Sequence, residues 1–113
     1  ILAIVNQAGF RITGLAMRHL DRPLVEDFYG EHKERPFFGE LVEYITSGPV
    51  VTIRLERENA VAALRELIGA TNPEEAAIGT IRDLFGASLQ NNAVHASANP
   101  DDAARELGLI FGD

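Results

Sequence analysis

The stretch AIVNQAGF, residues 3–10, decides how any sheet in this chain can be built. With Ile1 and Leu2 before it, ILAIV (1–5) is a short continuous apolar run, the pattern of a buried strand. FRITGLAM (10–17) then sets Phe10, Ile12, Leu15 and Met17 on alternating sides, with Gly14 at a bulge or change of face. The reading passes from one strand almost straight into a second.

Further along, strands and helices alternate. Asp21 before Pro23 opens a helix whose Leu24, Val25, Phe28 and Tyr29 share a stripe. PFFGELVEYITSGP (36–49) puts Phe37, Phe38, Leu41, Val42 and Ile45 at helical spacing and stops at Gly48 and Pro49. VVTIRLE (50–56) alternates with period two, as a half-buried strand does. ENAVAALRELIGA (58–70) carries Val61, Leu64, Leu67 and Ile68 on one face, with Gly69 as its stop. TNPEEAAIGTIRDLFG (71–86) is irregular and holds at most one short helix. NAVHAS (92–97) reads as a last strand, and Asn99-Pro100-Asp101-Asp102 caps a final helix. No repeat, linker or low-complexity tract interrupts the chain. One α+β domain over residues 1–113 is expected, with a four-stranded antiparallel sheet and helices on one face.

Composition limits the chemistry. Hydrophobic content of 46% with 24% charged residues is that of a globular protein, and 113 residues fit one compact domain. The absence of cysteine excludes disulfide scaffolds, thiolate metal sites and cysteine nucleophiles. A net charge of −7 argues against a nucleic-acid surface, and no apolar run is long enough to span a bilayer. Neither nucleic acid nor membrane is an expected partner, and a cytoplasmic location is expected. Nine of the ten basic residues are arginine, the side chain that grips phosphate with a planar fork.

His95 is the residue with chemistry to offer. A neutral imidazole keeps one free lone pair and can attack phosphorus near neutral pH. It then needs a partner on its other nitrogen, cationic donors for phosphate oxygens and little bulk in front. Ala96 and Ser97 are small neighbours, Glu106 lies in the following helix, and Arg65, Thr71 and Arg82 are available as phosphate ligands. On pattern alone, a lone histidine after a strand is more often a structural or surface residue than a nucleophile.

FYGEHKERPFFGELVEYITSGPVV (28–51), IGATNPEEAAIGTIRDLFG (68–86) and NNAVHAS (91–97) together resemble the nucleoside diphosphate kinase family in order, spacing and wording. The resemblance covers nearly the whole chain. It implies a ferredoxin-like βαββαβ sandwich and a two-step exchange in which a nucleoside triphosphate phosphorylates a histidine that then rephosphorylates a nucleoside diphosphate. It makes His95 the nucleophile and Glu106 its orienting acid, with Tyr29 and Ser97 as hydrogen-bonding neighbours of the imidazole. It assigns the phosphates to Arg65, Thr71 and Arg82, the sugar hydroxyl to Asn92, the base stack to Phe37, and the lining of the same slot to Leu41 and Leu89. Mg2+ is implied as a companion of the nucleotide, held by phosphates and water with no protein ligand set, and a homo-oligomer is implied as the assembly.

Each assignment has a plainer competitor. Phe37 and Leu41 have the spacing of core residues, Arg65 could pair with a nearby glutamate, and Tyr29 could be a core edge. His19 and His32 read as surface residues, and Glu74-Glu75 and Asp101-Asp102 as a solvated loop and a helix-dipole complement.

The departures from the family bear on mechanism. Members follow the first strand with a Lys-Pro-Asp segment and a full helix, a crossover of a dozen or more residues, whereas NQAG (6–9) supplies four. The family sheet is buildable if the first helix is missing from the chain as numbered, with Asn6 at the end of that helix. If the chain is continuous, Asn6 stands where the phosphate-binding lysine is expected, and a hairpin rewires the sheet edge. Ala98 replaces an acid usual after the histidine motif, and Leu84 stands where an aspartate is usual, with Asp83 one position early. The chain stops at IFGD, short of a segment that helps subunits contact one another. A catalytically impaired nucleotide-binding or protein-interaction module of the same fold is the alternative reading.

Overall fold

The computed structural model describes residues 1–30, 34–88, 91 and 93–112. His32, Leu89 and Asn92 lie outside the described residues.

The opening segment is a helix, α1 (Leu2–Gln7), which overturns the strand reading of residues 1–5. A continuous apolar run this short fits a buried strand and a buried helix equally, so periodicity could not separate them. The helix turns Ile4, Val5 and Ala8 onto one core, and Gly9, at φ +88, releases the chain toward Phe10. Asn6 is therefore a helical residue, and no hairpin runs through NQAG.

Strand β1 (Arg11–Arg18) follows, with a register shift between Ile12 and Gly14, where the sequence signalled a bulge. Asp21 caps α2 (Arg22–Phe28), accepting the Leu24 amide at 3.0 Å. Helix α3 (Phe38–Thr46) leads into β2 (Val50–Glu56), which pairs antiparallel with β1. Helix α4 (Ala60–Ile68) ends at Gly69, whose φ of +87 suits glycine alone. A 3-10 turn (Pro73–Glu75) and α5 (Ile81–Phe85) occupy the irregular stretch, one short element more than expected. Asn99 accepts the Asp102 amide at 2.8 Å and starts α6 (Pro100–Phe111).

Among the described residues β1 and β2 are the two strands, and residues 94–97 form no ladder. A ladder needs a neighbouring strand. Here the Val94 carbonyl accepts from Arg82 at 2.9 Å, and the Ala96 and Ser97 carbonyls accept from Arg65 at 3.4 Å. The expected last strand is thus a segment whose carbonyls are taken by guanidinium groups.

Two apolar clusters form the interior. One gathers Val5, Phe10, Ile68, Ile81 and Ala96 between α1, α4 and α5, and the other gathers Leu20, Val25, Tyr29 and Val42 between α2 and α3. Helix α6 crosses the sheet face that carries Gly14 and Arg54. The Arg54 guanidinium lies 5.5 Å from the Phe111 ring centroid, and Arg18 donates to the Ile110 carbonyl. A Cβ on Gly14 would sit 3.1 Å from both Arg54 and Phe111, so glycine permits this close approach. From the other face Leu15, Met17 and Val51 are at least half exposed. No helix among the described residues is long and apolar enough to cross a membrane.

Gly69 joins α4 to α5. A methyl group there would meet the Thr80 hydroxyl at 2.5 Å, and Thr80 caps α5. Gly69→Ala is expected to lose roughly 3 kcal/mol of stability, from a strained φ plus the collision. Urea denaturation checks this, and an unchanged midpoint contradicts it.

Candidate active site

Alternating burial along residues 94–97 turns His95 outward. Val94 packs against the first cluster and Ala96 is buried in it, so the side chain between them points the other way. The imidazole is 37% exposed and reachable. Phe28 and Tyr29 meet it edge to face, with ring centroids at 5.0 and 5.1 Å.

Behind the ring stands Glu106, 7% exposed on α6. One carboxylate oxygen, Oε1, lies 3.2 Å from His95 Nε2 and accepts the Ser97 hydroxyl at 2.8 Å. Burial pushes this carboxyl up. The hydrogen bonds from His95 and Ser97, then the charges of His95 and Arg105, outweigh burial and hold it below the usual range. An ionised Oε1 accepts and cannot donate, so the tautomer it favours carries the proton on Nε2. That leaves the lone pair on Nδ1. Ser97 thus acts on the carboxylate, where a bond to the imidazole itself was expected.

Tyr29 is 8% exposed, and its hydroxyl is pushed well above its ordinary range, by burial first, then by the Glu106 charge, with Arg82 opposing. It is a neutral phenol at physiological pH.

Arg82 is 6% exposed. Its Nη1 donates to Gly69 O at 3.2 Å and its Nη2 to Val94 O, while Nε is buried without a hydrogen-bond partner among the described residues. Burial, then the nearby charge of Arg65, lowers its pKa, with Tyr29 opposing. Two cations, one from α4 and one from α5, that disfavour each other while bonding the same segment make a place where an anion is welcome.

The remaining expected residues are spread more widely. Thr71 is exposed in the loop after Gly69. Phe37, at the start of α3, is 45% exposed, whereas Leu41, one turn on, is half-buried against the second cluster. Leu89 and Asn92 lie outside the described residues. Ala98 is exposed. Asp83 accepts the Gly79 amide at 2.9 Å, so the shifted aspartate secures the start of α5. Surface hollows of about 500 and 380 Å³ lie around Arg57 and neither includes His95.

The family model for nucleoside diphosphate kinase matches residues 1–113. The chain belongs to that family. It is 54% identical over 113 residues to the nucleoside diphosphate kinase of Deinococcus radiodurans, covering all of this chain and 82% of that one. Among solved structures, the Aquifex aeolicus nucleoside diphosphate kinase superimposes with a TM-score of 0.95 at 45% identity, covering 97% of this chain and 80% of that one. A Halobacterium salinarum nucleoside diphosphate kinase in complex with CDP gives a TM-score of 0.94 at 37% identity, over 99% and 75% of the two chains. A phosphotransferase family and an exposed imidazole on a segment whose carbonyls are held by two arginines agree.

Two residues of the site escaped the sequence reading: Phe28, placed only on an apolar stripe, meets the imidazole ring, and Arg105, given no role, bonds the Asp27 and Phe28 carbonyls from α6. The available signal was the acidic end of α2, Glu26-Asp27, which lacks a cation of its own in the last turn.

Because Glu106 gives up its proton more readily in the folded state than in the unfolded chain, its contribution to stability is complete above the ordinary glutamate pKa of about 4.3 and fades as pH falls through the lower folded value. Glu106→Gln is expected to be less stable than the parent at pH 7, with the gap closing below about pH 4. Urea unfolding across pH measures it. A gap that does not change with pH contradicts this electrostatic account.

Proposed function

We propose that this protein moves the terminal phosphoryl group of a nucleoside triphosphate to a nucleoside diphosphate through a phosphohistidine at His95. The observation that carries the reading is the Nε2 contact to a buried carboxylate on an imidazole that remains exposed.

In the first half-reaction the Nδ1 lone pair attacks the γ-phosphorus, and the bond from phosphorus to the bridging oxygen breaks, releasing the diphosphate. In the second, a terminal oxygen of another diphosphate attacks the phosphorus and Nδ1 leaves with the electron pair. Charge that develops on the ring is shared through Nε2–H with Glu106, and Ser97 and Arg105 keep that carboxylate ionised.

Arg65, Thr71 and Arg82 are the proposed phosphate ligands, two guanidinium groups and a hydroxyl suited to neutralising charge on a transferring phosphoryl group. Phe37 is the proposed stacking surface for the base, with Leu41 and Leu89 beside it, and Asn92 the partner of the sugar. A slot that reads the flat face of a base tolerates every base. The relative solved with CDP supports a nucleoside diphosphate as ligand.

The described residues hold no cluster of three or more histidine or acidic side chains suited to a metal. Mg2+ is proposed to arrive on the nucleotide's own phosphates, where it would neutralise charge. Family membership supports the four-stranded antiparallel sheet as the wider architecture, with β1 and β2 its strands among the described residues. The apolar face of Leu15, Met17 and Val51 supports a homo-oligomer.

Incubation with γ-labelled ATP is expected to give a phosphoprotein that is acid-labile and base-stable, absent in His95→Ala. Arg82→Ala is expected to slow labelling by roughly 10²-fold or more, the scale of a lost transition-state donor. Label that survives His95→Ala, or that withstands acid, contradicts the assignment.

A further inference from the structure

Helix α2 is seven residues long, and its last turn carries Glu26 and Asp27 at the negative end of the helix dipole. Glu26 is paired back to Arg22 at 2.9 Å. The last carbonyls of a helix lack i+4 partners, and here Asp27 O accepts a backbone N–H of the cap while keeping a second lone pair. Arg105, reaching across from α6, donates Nη1 to Asp27 O at 3.1 Å and Nη2 to Phe28 O at 3.0 Å. A planar guanidinium spans two successive carbonyls, which the single ammonium of lysine does not.

The backbone held this way belongs to the two rings that flank His95. Phe28 contributes both a clamped carbonyl and a ring at 5.0 Å from the imidazole, and Tyr29 is the next residue. The neighbour of Arg105 on α6 is Glu106, which holds the other side of the same imidazole through Nε2. Two adjacent residues of one helix therefore set the ring from both sides.

We propose that Arg105 is a positioning residue for phosphoryl transfer: by clamping the end of α2 it fixes the Phe28 and Tyr29 rings against His95, so that Nδ1 is held in line for attack. The inference rests on His95 being the nucleophile, and it concerns a side chain that does not touch the imidazole.

Rapid-quench labelling with γ-labelled ATP, steady-state turnover with a nucleoside diphosphate, and the NMR resonances of the His95 ring protons test it on the full chain. Arg105→Ala is expected to slow phosphoenzyme formation and kcat by about tenfold, with KM within about twofold, since a small misplacement of a reacting group costs rate before binding. The His95 ring resonances shift in the same variant, because the flanking aromatic rings move. Arg105→Lys recovers part of the rate, added guanidinium ion recovers part of it in Arg105→Ala, and Arg22→Ala, which removes a surface pair on the same helix, matches the parent. Should Arg105→Ala fail to fold, Arg105→Lys carries the test through a reduced kcat and shifted His95 resonances in a folded protein. Parental rates with unmoved resonances overturn the proposal, as does a loss confined to KM or an equal loss in Arg22→Ala. If His95→Ala still labels, the reading of His95 as nucleophile has failed; if it does not label while Arg105→Ala keeps parental rates and resonances, only the role of Arg105 has failed.

Discussion

A buried carboxylate accepting two hydrogen bonds on one oxygen is the constraint on which the site depends. Glu106 Oε1 takes both His95 Nε2 and the Ser97 hydroxyl. An ionised carboxylate removed from water is costly unless donors meet it, and these donors keep it charged against the pull of burial. With the carboxylate acceptor-only, the proton belongs on Nε2, and the free lone pair is left on Nδ1. The chemistry of one atom follows from the burial of another.

The position of that imidazole follows from packing. Ala96 and Val94 anchor the loop in the cluster built by α1, α4 and α5, while Phe28 and Tyr29 come from the cluster built by α2 and α3. His95 sits where the two meet, one ring edge toward each aromatic and one nitrogen toward α6. Arg65 and Arg82 tie the same loop down through its carbonyls. The groups that hold the histidine's backbone are cations, so loop placement and charge placement share side chains.

Much of this was legible in the residues, and what was not has a physical reason. Asp21, Asn99 and Gly69 announced helix ends because capping is decided by atoms within a turn. The VVTIRLE segment is a strand over the residues its alternation marked. Residues 1–5 misled because a short apolar run has no period to read. Residues 94–97 misled differently: forming a ladder depends on a partner elsewhere in the chain, and here guanidinium groups take the carbonyls of Val94, Ala96 and Ser97. The closeness of Glu106 to His95 came through family likeness, since eleven residues of separation do not place two side chains together. Arg105 stayed hidden because its partners are 77 and 78 residues away. Asn6, which raised the question of a lost lysine, turned out to be a helical residue and carries no such meaning.

The central claim is that Glu106 holds Nε2 and leaves Nδ1 to react. Identification of the phosphorylated nitrogen by 31P and 15N NMR of the freshly labelled protein tests it most directly. The account requires phosphorus on Nδ1 of His95. Phosphorus on Nε2 would mean that the carboxylate contact is broken when the enzyme works, and would contradict it.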